Sequence, residues 1–239
     1  MKNNLEYYHH RTAILVDGAF FIKRLRYLHS KKSNYDPYSA KNTIKDLYRM
    51  VQSHLKHCNG LLYRIFYYDC PPLTKRLHNP INNKPIDLSQ SRQAVFMNEL
   101  FVELKKSRKI ALRLGKLNDP GYWRIKDKKT KLLLQKKIQV DQLLENDVEW
   151  SVNQKQVDMK MGLDVASLAY KQLVDQIVMI AGDSDFVPVA KVARREGIDF
   201  ILDPMYKSIS PDLSEHIDGL YSTYGKKKTE KKCQENSLE

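Results

Sequence analysis

The chain reads as an α/β protein, a Rossmann-like three-layer sandwich around a central, mainly parallel sheet. Three observations predict this. Short apolar runs recur at 12–17, 61–68, 176–181 and 198–202, the length and composition of strands buried on both faces. Longer segments with apolar residues at helical spacing separate them. Strands alternating with helices mean βαβ units and right-handed crossovers.

In order along the chain, residues 1–10 read as a loose N-terminal arm and 12–17 as the first strand. Residues 19–29 read as a helix with Phe20, Phe21, Leu25 and Leu28 as an inward stripe. Pro37 breaks the chain. Residues 40–57 form a second helix, with Ile44, Leu47, Val51 and Leu55 on one face, and 61–68 the second strand, ending at Asp69. The stretch from Pro71 to Pro85 reads as a loop, and 89–106 as a third helix. A strand is expected at 109–117, with further strands at 122–125 and 132–140. A helix at 157–172 precedes a strand at 176–181. A helix at 184–195 ends at Gly197, a strand follows at 198–202, and a short helix at 210–217. From 225 to 239 the chain reads as a polar, disordered tail. Residues 11–224 thus form one domain carrying a basic insertion at about 105–140.

Composition narrows the partners. The 239 residues carry a net charge of +13. Residues 105–137 hold thirteen Lys and Arg against Asp119 and Asp127, so most of the excess lies there. Such concentration suits a polyanion, whose counterions are released on binding. Mean hydropathy is −0.56. No apolar stretch approaches the length of a membrane helix, and the N-terminus lacks a signal-like apolar region. A cytoplasmic protein without a membrane partner is expected. The three cysteines, Cys58, Cys70 and Cys233, have no metal-site spacing.

The acids carry the chemistry. Ligands of open α/β sheets sit beyond the carboxyl ends of the strands. Asp17 ends the first strand, and Asp183 and Asp185 lie in the turn leaving the fourth. Carboxylates gathered at one point repel each other, so the cluster implies a cation, and all-oxygen ligation suits Mg²⁺ or Mn²⁺. Asp158 and Asp164 belong to the helix at 157–172. They are six apart, so they do not share a face. Asp158 doubles as a candidate N-cap, and Asp185 as a cap of the helix after it. Asp69 is the weakest candidate, since the turn before Pro71 and Pro72 explains it. No Ser, Cys or His triad is evident, and no glycine-rich phosphate loop.

Four segments together resemble the NYN domain, one of the PIN-like nucleases, a family that includes the LabA-like bacterial proteins. They are Leu15-Val-Asp17-Gly18, Lys155-Gln-Val-Asp158, Gly162-Leu-Asp164-Val-Ala-Ser-Leu-Ala and Ala181-Gly-Asp183-Ser-Asp185-Phe186-Val-Pro188. The resemblance implies a metal held by Asp17, Asp164, Asp183 and Asp185, with Asp158 a further catalytic acid. It also implies endonucleolytic cleavage of RNA, single-stranded by preference, with Lys155 at a matching basic position. The long basic stretch departs from a minimal domain of this family.

The polyanion contact is expected on Lys126, Lys128, Lys129, Lys131 and Arg113, with Trp123 stacking on bases. A homodimer is compatible with this reading. Haloacid-dehalogenase phosphatases want a second Asp where Ala19 stands, and Toprim folds want Glu where Asp17 stands. The remaining alternative is a catalytically weak or inactive RNA-binding regulator of the same fold.

Overall fold

The computed structural model describes residues 9–30 and 35–223. Most of the expected N-terminal arm and the tail from 225 lie outside the described residues.

The central sheet has six strands in the order β10-β9-β8-β1-β2-β5, and every neighbouring pair is parallel. They are β1 His10–Asp17, β2 Gly60–Asp69, β5 Ile110–Leu114, β8 Gln176–Ile180, β9 Asp199–Asp203 and β10 Gly219–Leu220. Alternate residues of each strand face opposite layers. Ile14, Val16, Ile65 and Tyr67 pack against α1 Gly18–His29, α2 Ala40–His57 and α3 Arg92–Lys106. Ala13, Leu15, Phe66 and Tyr68 pack against α5 Val157–Tyr170, α6 Val187–Arg195 and α7 Pro211–Glu215. The expected three-layer architecture is therefore what forms.

Local signals set the helix starts. Asp17, Ser39 and Ser91 each accept a backbone N–H from the first turn of α1, α2 and α3. Pro211 stands at the start of α7, where no donor is wasted.

Two regions differ from expectation. The 71–85 segment carries a small antiparallel pair, β3 Arg76–His78 with β4 Pro85–Asp87. The run 132–140 is not a strand. Leu132–Leu134 close the helix α4, Asp127–Leu134, whose lysines tolerate a helix well. The basic insertion is a two-stranded antiparallel ribbon, β6 Lys116–Ile125 with β7 Val148–Lys155, and α4 lies between its strands. β7 was not expected, although Val148, Trp150 and Val152 alternate as a half-buried strand should. The ribbon leaves the sheet after Leu114 and returns just before α5, so it springs from the carboxyl edge.

At that edge a buried pair fastens β9 to α2. His54 Nε2 lies 2.8 Å from Asp203 Oδ2, and both side chains are fully buried. Asp203 also accepts the backbone N–H of Met205 at 2.7 Å. Removing one partner strands the other in the core. Asp203→Ala is expected to cost about 3–5 kcal/mol in urea unfolding, and a cost below 1 kcal/mol would remove this pair as a structural clamp.

Candidate metal and nucleic-acid site

Strand order decides where the site lies. The chain builds β1, β2 and β5 in one direction, then returns to the other side of β1 to lay down β8. β1 and β8 are adjacent, with Val16 opposite Ile180. Their carboxyl ends flank the topological switch point, where open α/β sheets leave a crevice. Asp17 leaves β1 there, and Gly182-Asp183 leaves β8.

Asp17 is half-buried and caps α1, with Oδ1 accepting the Phe20 N–H at 3.1 Å. Burial raises its pKa, and the charges of Asp158 and Asp183 raise it further. Asp158 is exposed in the first turn of α5, and its pKa is raised by desolvation, then by Asp183 and Asp185. It is not the N-cap of α5. Gln156 holds that place in a left-handed conformation, φ 72°, without a side-chain cap. Asp183 and Asp185 are exposed in the turn after β8, where the Asp185 N–H reaches Asp183 Oδ1 at 3.3 Å. Four carboxylates from three separate segments thus feel one another.

The backbone of this turn is held tightly. A β-carbon on Gly182 would sit 2.5 Å from the Phe20 ring, and Lys207 Nζ donates to the Gly182 carbonyl at 3.0 Å. Lys207 was not expected here. It follows β9 at the same edge, but no sequence signal ties it to Gly182.

Asp164 is placed elsewhere. Six residues of helix set it about 9 Å along the axis from Asp158. Its Oδ2 accepts from Arg113 Nε at 2.9 Å and from the Tyr68 hydroxyl at 2.8 Å. A carboxylate held by a guanidinium has its charge answered already, so its bonds in this structure are those of an internal ion pair. The same pairing engages Arg113, which sequence assigned to RNA.

Asp69 is the opposite case. Its side chain is 3% exposed, Oδ1 accepts the Cys70 N–H, and Oδ2 is buried without a hydrogen-bond partner. Burial lifts its pKa to about 7, with Asp17 adding to the rise. A turn before two prolines does not account for that.

The basic residues lie on the ribbon. Lys155 ends β7 and is exposed. Lys128 and Lys131 are exposed on α4. Lys126 Nζ donates to the Asn146 carbonyl at 2.6 Å, and Lys129 pairs with Asp147 at 3.1 Å. Trp123 packs edge-on against Trp150, 5.6 Å between centroids, so its ring is engaged within the ribbon. Tyr122, 57% exposed, is the ring the ribbon presents.

Among the described residues, no three His, Cys, Asp or Glu side chains stand close enough together to hold a metal ion as placed. The donor chemistry still fits a hard cation. The set at the switch point is all oxygen and like-charged, and its mutual repulsion is what a divalent ion relieves. No described helix is long and apolar enough to cross a membrane.

No curated protein matches the chain. Among solved structures, a protein of unknown function from Vibrio parahaemolyticus RIMD 2210633 matches 93% of this chain and 96% of its own, at 15% identity and a TM-score of 0.44. The NYN domain matches residues 81–221, which contain Asp158, Asp164, Asp183, Asp185 and the whole ribbon. With a parallel α/β sheet and acids at its switch point, the chain belongs to the NYN domain family of the PIN-like nuclease superfamily.

Proposed function

We propose that the protein is a metal-dependent endoribonuclease acting on single-stranded RNA. The observation that carries this reading is that Asp17, Asp158, Asp183 and Asp185 lie near enough around the β1–β8 switch point for their charges to act on one another. These four would hold Mg²⁺ or Mn²⁺. A bound divalent ion supplies a lowered pKa for water and neutralises charge developing on the phosphate.

The protein's own part is positioning. Asp17 is fixed by its bond to the Phe20 N–H, and the Asp183 turn by Lys207. Lys155 stands two residues before α5, where its ammonium can answer a neighbouring phosphate. Lys126, Lys128 and Lys131 extend the positive surface along the ribbon. Asp164 serves the framework by holding Arg113 and Tyr68. One observation favours the alternative of an RNA-binding regulator. As placed, no three acids among the described residues converge within ligand reach. Incubation with RNA and Mn²⁺ separates the two: cleavage supports the enzyme, and binding without cleavage the regulator.

Calorimetry with Mn²⁺ should show a binding event that Asp17→Asn and Asp183→Asn each weaken at least tenfold, whereas Asp164→Asn weakens folding more than binding. Unchanged affinity in the first two variants would refute the site. Changing Lys126, Lys128 and Lys131 together to Gln should lower the slope of log affinity against log salt by about 2. An unaltered slope would move the RNA path off the ribbon.

In metal-free buffer the raised acids set a pH dependence. A carboxyl whose pKa is higher folded than unfolded keeps its proton longer in the native state, so stability is greatest below the unfolded value and is lost as pH rises through the folded one. For Asp69 that window runs from its ordinary 3.8 to about 7. Asp69→Asn should match the parent protein near pH 4 and exceed it by roughly 2–4 kcal/mol at pH 8 in urea unfolding. Parallel stability curves for the two proteins would contradict the burial of this charge.

A further inference from the structure

On the other flank of Asp17 a cleft of about 290 Å³ opens between α1 and α3, lined by Ile22, Lys23, Arg26, Asp69, Gln93 and Met97. It lies at the same carboxyl edge as the acids, because Asp69 ends β2, the strand next to β1.

Two of its lining residues, Asp69 and Arg26, carry unmet hydrogen-bonding groups, and the buried Tyr67 beside Asp69 carries a third. Asp69 Oδ2 is buried without a partner. So is the Tyr67 hydroxyl, in a side chain that is 0% exposed. Asp69 Oδ2 and Tyr67 Cζ both come within 2.8 Å of one point, the place a β-carbon on Gly18 would take. Only glycine leaves them room. Arg26 is fixed on two sides. Its Nε donates to the Pro37 carbonyl at 3.1 Å and its Nη1 to Gln93 Oε1 at 2.9 Å. Its guanidinium also lies 4.3 Å from the centroid of Tyr38. Its Nη2 remains buried and unpartnered.

Each such group costs about 1–3 kcal/mol when left unmet. A protein that leaves an acceptor, a hydroxyl and a donor together is one in which something else completes them. A phosphate suits Lys23 and Arg26 but leaves Asp69 Oδ2 opposed rather than met. A flat ring with donors on one edge and an acceptor beside them does complete the three groups, and Ile22 and Met97 supply apolar surface for its faces. The two adjacent N–H donors of guanine suit the carboxylate, and its O6 suits the guanidinium. Ala19, Lys23 and Gln93 are the exposed members of the lining.

We propose that this cleft is a nucleobase subsite beside the acid cluster, selective for guanine in the nucleotide next to the bond that is cut. It rests on the reading of the protein as acting on RNA, but its test does not require cleavage. In buffer with chelator, the full chain should bind GMP at least tenfold more tightly than AMP, CMP or UMP. Asp69→Asn should erase that preference, and Gln93→Trp, at an exposed position, should block GMP by filling the mouth. Inorganic phosphate should not compete.

Equal affinity for the four nucleotides, GMP binding unchanged in both variants, or displacement of GMP by phosphate at matched concentration would each overturn the subsite. So would no detectable GMP binding, which would leave ordered water as what meets the three groups. With Mn²⁺ and RNA, cuts should map next to guanine. Cleavage without regard to guanine overturns the subsite and leaves the nuclease intact. Guanine-selective binding without any cleavage supports the subsite and overturns the nuclease.

Discussion

The pairing of β1 with β8 is the constraint on which the rest depends. It joins segments about 165 residues apart and puts the chain's change of direction at the sheet's centre. Because both strands are parallel and buried on both faces, their carboxyl ends emerge together. Any acids placed there must then share one small volume. The sheet therefore forces like charges into proximity, and burial of Asp17 beneath them makes the repulsion harder for water to screen. The local cost is that these acids stand near one another with no counter-charge from the chain to answer them.

The same edge shows two ways of holding a carboxylate. Asp164 and Asp203 are answered from within, by Arg113 and His54. Asp17, Asp69 and Asp158 are not, and their pKa values rise. The contrast separates acids answered within the chain from acids left without an internal counter-charge. It is sharper than position in a motif, since Asp158 and Asp164 stand on one helix and fall on opposite sides of the divide.

Much of this was legible in sequence. Buried parallel strands announce themselves as continuous apolar runs, and Asp17, Ser39 and Ser91 mark helix starts by local hydrogen bonding. Asp17, Asp183 and Asp185 were read as candidates from strand ends, and Asp158 from the helix that carries it. What was not legible depends on long-range partners. Nothing near Asp164 in sequence points to Arg113, 51 residues away. Asp69 looked like a turn residue because its burial comes from α1 and α3 closing over β2. The ribbon escaped for another reason. A two-stranded excursion has only one modest apolar face, and its alternating pattern at 148–152 is weaker than the leucine run of α4 beside it.

Gln156 separates the ribbon from α5 by a single left-handed residue, and Asp158 lies two positions further on. At the ribbon's base, a β-carbon on Gly115 would meet the Lys155 carbonyl at 2.7 Å, so the two strands grip each other where they leave the sheet. The strand that returns from the lysines therefore runs almost without a break into the first turn of α5. The basic ribbon and the acid on that helix are thus tied through one short, closely packed joint just past the end of β5.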